Sequence, residues 1–355
     1  MKIAYITGDI QYNANFAFYH DLLANFPIPE GQYHRLYLVN HFYDLDLINT
    51  LKSKGIDVRS CFRSFHLTLD NYWETMKRDL EDVDVILSGH ITNLDEAVPE
   101  IVKKPIVSIS FAEQGYSSNN NPGSFYKERF HLIAISKTAV NAFPKHARTR
   151  VKVVKSGIDA TRMKIEVDRD EVRKMWFGEG FDKKIMLFVG PGRSERGLMK
   201  TIESLRHLPD WYLMIVTNEL DVKIPAELRK QVYTCSPLYS LSEVYNACDC
   251  LVLPTQHEGF STTLLEAWYT ETPVVTTNHN SMTEIIEENP NTYFGEILDC
   301  RNSLGSPDPK TIAEAVERAQ FTKQAAEVVR RKYLAPNMID DWQKYLEGVC
   351  GEKVQ

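Results

Sequence analysis

No run in this chain of 355 residues reaches the ~18–20 consecutive apolar residues that a membrane-crossing helix needs, so no integral membrane protein is expected. The opening stretch, Met1 to Gly8, is too short for the apolar region of a signal peptide and reads instead as a first strand. A basic excess is also missing. Lys and Arg number 41 against 48 Asp and Glu, a formal charge of −7, which argues against general nucleic-acid binding. The six cysteines (Cys61, Cys235, Cys248, Cys250, Cys300, Cys350) form no CxxC pair and no Cys/His cluster. That argues against a structural zinc site and suits reduced thiols in a cytoplasmic protein.

What is present is ordinary for a globular chain: 43% apolar and 25% charged residues. At roughly 150 residues per domain the length predicts two domains. Short apolar runs alternate with helical patterns, the signature of α/β layering. Strands are predicted near 3–6, 35–39, 57–59, 85–87, 106–109, 132–135 and 151–154, then near 185–189, 212–216, 232–234, 250–253 and 274–276. Helices are predicted at 15–25, 45–52, 71–80 and 137–142. The tail reads as helix over 311–332 and 337–349, with Pro336 separating the two. The predicted fold is α/β, with two doubly wound, Rossmann-like domains facing across a cleft. Residues 1–165, joined by a crossover helix in 336–355, form the first domain, and 166–335 form the second.

Several familiar motifs fail on inspection. Gly190-Pro191-Gly192 follows a strand, but Glu195 stands where a dinucleotide fingerprint needs its third glycine. Gly192 and Gly197 have P-loop spacing, yet Leu198-Met199 replace the Lys-Ser/Thr pair that would meet phosphate and magnesium. The pairs Asp44/Asp46 and Asp82/Asp84 read as solvated or strand-capping carboxylates rather than metal ligands. No Gly-x-Ser-x-Gly elbow or HExxH is present.

The informative segment runs from Leu241 to Ile286. A buried strand ends at Pro254, a loop carries Glu258-Gly259-Phe260, and Ser261-Thr262-Thr263 open a helix bearing Glu266. A loop beyond a strand's carboxyl end is where α/β sheets bind ligands. Gly259 lets the backbone approach a ligand, and the helix N-terminus at 261–263 offers N–H groups suited to a diphosphate. Glu266 is placed to accept hydrogen bonds from a ribose diol.

Glu258 and Glu266 form an E-x7-E spacing that resembles retaining glycosyltransferases of the GT-B fold, most closely glycosyltransferase family four. Phe188-Val189-Gly190 leading to Glu195-Arg196-Gly197 looks like that family's V-G-R-x-x-x-E-K-G loop. Residues 153–159 resemble its interdomain V-I-x-N-G-V-D segment. Thr272-Pro273-Val274-Val275, Glu284-Ile285-Ile286 and Ile135-Ser136 are also family-like, and His90 after the strand Asp84–Gly89 resembles its first-domain histidine. The resemblance implies transfer of a sugar, with retention, from a nucleotide-sugar donor to a carbohydrate, lipid-linked or small-molecule acceptor. It implies no cofactor and no essential metal. His90, Glu258, Arg193 and Arg196 would be catalytic. Gly190, Gly192, Glu258, Gly259, Phe260, Ser261, Thr262, Thr263 and Glu266 would bind the donor.

There are departures from that pattern. Pro191 stands where the family carries an arginine, Arg196 replaces its lysine, and Ser110-Phe111-Ala112-Glu113 replaces a second histidine region. Two other readings therefore stand beside the transferase: a weakened sugar-nucleotide-binding or partner subunit, and an epimerase or phosphorylase on the same fold. The basic cluster 145–155 is either a peripheral contact with anionic headgroups at the inner membrane face or a solvated face near the linker. Donor base, acceptor and oligomeric state are not specified by these motifs.

Overall fold

The structure is a computed structural model that describes residues 1–7, 21–38, 45–60, 77–89, 104–111, 130–143, 145–163, 168–193, 196–236, 240–256, 258–278, 281–300 and 307–351. The chain divides into two compact units, Met1–Gly157 with Ala335–Gln355, and Ile158–Leu334. Each is built on one parallel sheet.

In the first unit the strands are β1 (Ile3–Thr7), β2 (His34–Leu38), β3 (Asp57–Ser60), β4 (Val85–Gly89), β5 (Ile106–Ser110), β6 (Phe130–Ala134) and the short β7 (Lys152–Val153), with helix α1 (Leu45–Ser53) before β3. Their order is β3-β2-β1-β4-β5-β6-β7. Strand β1 lies between β2 and β4, with Ile3 opposite both His34 and Val85. The apolar side chains of Ile3, Tyr5, Leu36, Val85, Leu87 and Val107 are fully buried, as strands covered on both faces require. His34 is packed among them. Its ring lies 5.0 Å from that of Phe26, and burial lowers its pKa to about 4, so it is a neutral core histidine. Asp82 and Asp84 serve structure, as expected. Asp84 accepts from the Lys2 amide at 2.7 Å, and Asp82 lies 3.6 Å from Arg35.

The second unit contains α2 (Arg169–Phe177), β8 (Lys184–Val189), α3 (Leu198–Ser204), β9 (Trp211–Val216), β10 (Val232–Cys235), α4 (Ser242–Ala247), β11 (Cys250–Leu253), α5 (Thr262–Tyr269), β12 (Val274–Thr277), α6 (Ser281–Glu287), β13 (Glu296–Leu298), α7 (Pro309–Arg318) and α8 (Lys323–Lys332). Sheet order is β10-β9-β8-β11-β12-β13, again parallel throughout. In both sheets the first strand is central and the order reverses beside it, the doubly wound arrangement. Ile158 pairs with Leu334 and donates to the Tyr333 carbonyl at 2.9 Å, which ties together the two ends of this unit.

Three local expectations are corrected. Residues 138–142 form a 3-10 helix rather than an α-helix. The tail is broken at 319–322, where Thr322 caps α8 through its hydroxyl. Pro336 does not separate helices. It is the second residue of α9 (Ala335–Gly351), where its missing N–H has no partner to lose. In the basic cluster, Arg148 donates to the carbonyls of Phe143 and Asn141, both at 2.8 Å, so part of its charge stiffens the local turn.

Candidate functional site

The reversal of strand order in the second unit falls between β8 and β11, and the predicted loops rise from the carboxyl ends of those two strands. The β8 loop begins at Gly190, whose amide donates to Val216 at 3.0 Å. Gly192 donates to the Glu219 carbonyl at 2.7 Å, and a Cβ there would stand 2.5 Å from that oxygen. Gly197 has φ 77°, and its Cβ would lie 2.5 Å from the Pro254 carbonyl at the end of β11. Gly192 and Gly197 thus serve close packing of one loop on its neighbours, whereas Gly190, with φ 132° and open space where a Cβ would stand, serves the backbone conformation. The amides of Gly190 and Gly192 are engaged within the protein.

The two arginines of this loop part company. Arg193 forms a forked pair with Glu219, with N–O distances of 2.9, 3.1 and 3.2 Å, and both side chains are about half exposed. Arg196, one residue before Gly197, donates to the carboxylate of Glu258. The Glu258 side chain is only 8% exposed and that of Arg196 25%, so this pair is partly withdrawn from water and is screened less than Arg193–Glu219. The positions 62 residues apart in sequence meet because Gly197 seats the β8 loop against Pro254.

After Glu258 come Gly259 and Phe260, both buried, and the Phe260 ring lies 6.0 Å from that of Tyr333. Ser261 caps α5, accepting from the Leu264 amide at 3.4 Å. The expectation of open amides over 261–263 needs correction at Thr262 alone. The Thr262 N–H donates to the Phe260 carbonyl at 3.1 Å, because the chain turns tightly into the helix, and the Leu264 amide is taken by the cap. The positive end of the helix dipole remains at this point.

Glu266 lies one turn into α5 and its side chain is only 6% exposed. Its Oε2 accepts from the Tyr245 hydroxyl at 3.0 Å, and its Oε1 lies 3.5 Å from Arg162 Nη2. Tyr245 is buried on α4. Burial first, and the adjacent Glu266 second, raise its pKa well above that of a free phenol and keep it a neutral donor. Neither Arg162 nor Tyr245 was singled out from the sequence. Arg162 lies close to the domain boundary predicted between 165 and 166, and no local periodicity links it to a residue 104 positions away. His90 and Glu113 lie outside the described residues.

Residues 177–319 match the family described as "Glycosyl transferases group 1". That stretch lies within the second unit and contains Arg193, Arg196, Glu258 and Glu266. The chain is 28% identical over 149 residues to the lipopolysaccharide core biosynthesis mannosyltransferase LpsB of Rhizobium meliloti, an alignment spanning 38% of this chain and 42% of that protein. Among solved structures, HepE from Anabaena in complex with UDP-glucose superposes with a TM-score of 0.79 at 14% identity, covering 98% of this chain and 100% of that one. WaaG, a glycosyltransferase involved in lipopolysaccharide biosynthesis, superposes with a TM-score of 0.67 at 16% identity, covering 99% and 100%. With two parallel, Rossmann-like sheets and these structural neighbours over nearly the whole chain, the fold is GT-B.

Proposed function

We propose that this chain is a retaining glycosyltransferase. It moves a sugar from a nucleoside diphosphate sugar to a hydroxyl of a carbohydrate, lipid-linked or small-molecule acceptor. The observation that carries this reading is the meeting of Arg196 and Glu258 at the reversal of strand order, inside the stretch that matches the group 1 glycosyltransferases. When the bond from the anomeric carbon to the diphosphate breaks, negative charge grows on the leaving oxygen. A guanidinium and the N-terminal end of α5 stabilise that charge without needing to reorganise. Glu258 accepts from hydroxyls of the donor sugar, and Glu266 from the nucleoside ribose. A new bond forms from the acceptor oxygen on the same face of the sugar, and the acceptor's proton leaves with the diphosphate. The second unit holds the donor and the first serves the acceptor, with His90 in the role the resemblance implies.

Because the leaving charge is met by Arg196, chelation with EDTA is expected to leave transfer intact. A panel of nucleoside diphosphates and nucleotide sugars tests the reading directly: at least one should raise the melting midpoint, since a ligand specific to the folded state stabilises it. Glu258→Ala should then lower sugar transfer by at least ~100-fold while changing nucleoside diphosphate affinity far less. No stabilisation by any member of the panel, or unchanged transfer in the variant, defeats the assignment.

A further inference from the structure

Glu266 is held from two sides by residues that no sequence motif connects to it. Arg162 reaches it from the 3-10 segment Ala160–Arg162, and Tyr245 from α4. Both partners are themselves anchored. The Arg162 carbonyl accepts from the Ser240 hydroxyl, and Asp159 caps the segment by accepting from the Thr161 amide at 2.8 Å. The Tyr245 carbonyl accepts from Thr272 at 3.3 Å, and its hydroxyl also lies 3.2 Å from the Thr263 carbonyl in the first turn of α5. Side-chain exposure is 6% for both Arg162 and Glu266. A buried carboxylate without a counter-charge is costly, whereas one with a cation on one oxygen and a phenol on the other is held charged and in one rotamer.

We infer that Arg162 and Tyr245 are positioning residues that aim Glu266 at the donor's ribose diol and so make this site selective for ribonucleotides over 2′-deoxyribonucleotides. The inference rests on the proposed role of Glu266 as the ribose acceptor. Two ligand hydroxyls require a carboxylate that is ionised and fixed in direction, since a protonated carboxyl would present a donor to one of them. Arg162 supplies the charge that keeps the group ionised. Tyr245, a neutral donor 3.0 Å away, fixes the plane of the carboxylate. A purely structural pair would hold the fold together but would not distinguish a ribose from a deoxyribose.

The test measures, by calorimetry on the full chain, the affinities for UDP, GDP, ADP and CDP and for their 2′-deoxy counterparts. The wild-type protein should favour the ribose form of its best ligand by roughly ten- to hundredfold, the effect of one hydrogen bond to a charged group. Glu266→Gln and Arg162→Met should each reduce that ratio to within about threefold, the ribose form losing more affinity than the 2′-deoxy form, which has only its 3′-hydroxyl contact to lose. Tyr245→Phe should reduce it in part, and Arg162→Lys should restore part of it. If Arg162→Met does not fold, the Arg162→Lys and Tyr245→Phe ratios decide. Ratios in these two that equal the wild-type value overturn the proposal. A wild-type protein indifferent to the 2′-hydroxyl, or a Glu266→Gln variant that keeps the full ratio, instead removes the ribose role of Glu266. Loss of the ratio in Glu266→Gln with full retention in Arg162→Met and Tyr245→Phe leaves that role standing and overturns only the positioning role.

Discussion

Arg196 and Glu258 neutralise each other before any ligand arrives. In the proposed reaction they part, the arginine to the diphosphate and the carboxylate to the sugar. Glu258 therefore competes with the nucleotide for the same guanidinium, and its removal has opposite effects on binding and on turnover. Glu258→Gln keeps the shape and a hydrogen-bonding group but frees Arg196 from its counter-charge. The variant should bind nucleoside diphosphate several-fold more tightly, a gain of about 1 kcal/mol typical of releasing a partly exposed ion pair, while transferring sugar far more slowly. Titration calorimetry and a transfer assay read the two effects separately, and weaker diphosphate binding in the variant would refute the competition. Arg193 stands outside this competition, because its partner is Glu219 rather than Glu258. The sequence spacing pairs Glu258 with Glu266, since seven intervening residues span a loop and one helical turn. It was silent on Arg162 and Tyr245, whose contact with Glu266 exists only once α4, α5 and the 3-10 segment have packed.

At the scale of elements, strand positions were the most readable part of the chain, because fully buried parallel strands are written as continuous apolar runs such as Ile185-Met186-Leu187-Phe188. Strand β13 was missed for the converse reason. It is three residues long, begins with Glu296, and is set by Gly295 at φ 112° packed against the Val274 carbonyl. Helix ends follow local chemistry. Asp308 caps α7 by accepting from the amides of Lys310 and Thr311, both at 3.1 Å, with Pro309 at the first helical position. Those bonds, that with the Thr311 hydroxyl foremost, lower the pKa of the Asp308 carboxyl. Asp308→Ala should cost ~1 kcal/mol of stability, and so a melting midpoint lower by a few degrees, with nucleotide affinity unchanged. The sign with pH follows from the lowered pKa. The difference between variant and wild type is complete above the ordinary carboxyl value of 3.8 and closes as the pH falls through the lower folded value. Melts at neutral and strongly acidic pH check it, and a gap that widens on acidification would contradict the capping role.

For the whole molecule, length alone divides the chain in two, but the division is not a simple cut. Residues 158–163 fold with the second unit, to which Ile158 is tied by Leu334 and Arg162 by Glu266. Helix α9 belongs to the first unit, where Met338 Sδ accepts from the Gly157 amide at 3.3 Å and Trp342 and Leu346 are fully buried. One unit is thus continuous in sequence and the other is assembled from both ends of the chain. This arrangement predicts different fates for the two when separated. Residues 158–334 contain their own complete sheet, their own core and every described residue proposed to hold the donor. Expressed alone, they should unfold cooperatively and bind the preferred nucleoside diphosphate within about threefold of the full chain. Residues 1–157 lose the burial of Met338, Ile339, Trp342 and Leu346, each worth ~1.5–3 kcal/mol, against a total domain stability of only ~5–15 kcal/mol. That fragment should show no cooperative transition until a peptide covering 335–355 is added. Circular dichroism melts and calorimetry on the two fragments provide the measurements. A 158–334 fragment that folds but has lost nucleotide binding would mean that the donor site needs residues from the first unit, and the assignment of donor binding to the second unit alone would have to be withdrawn.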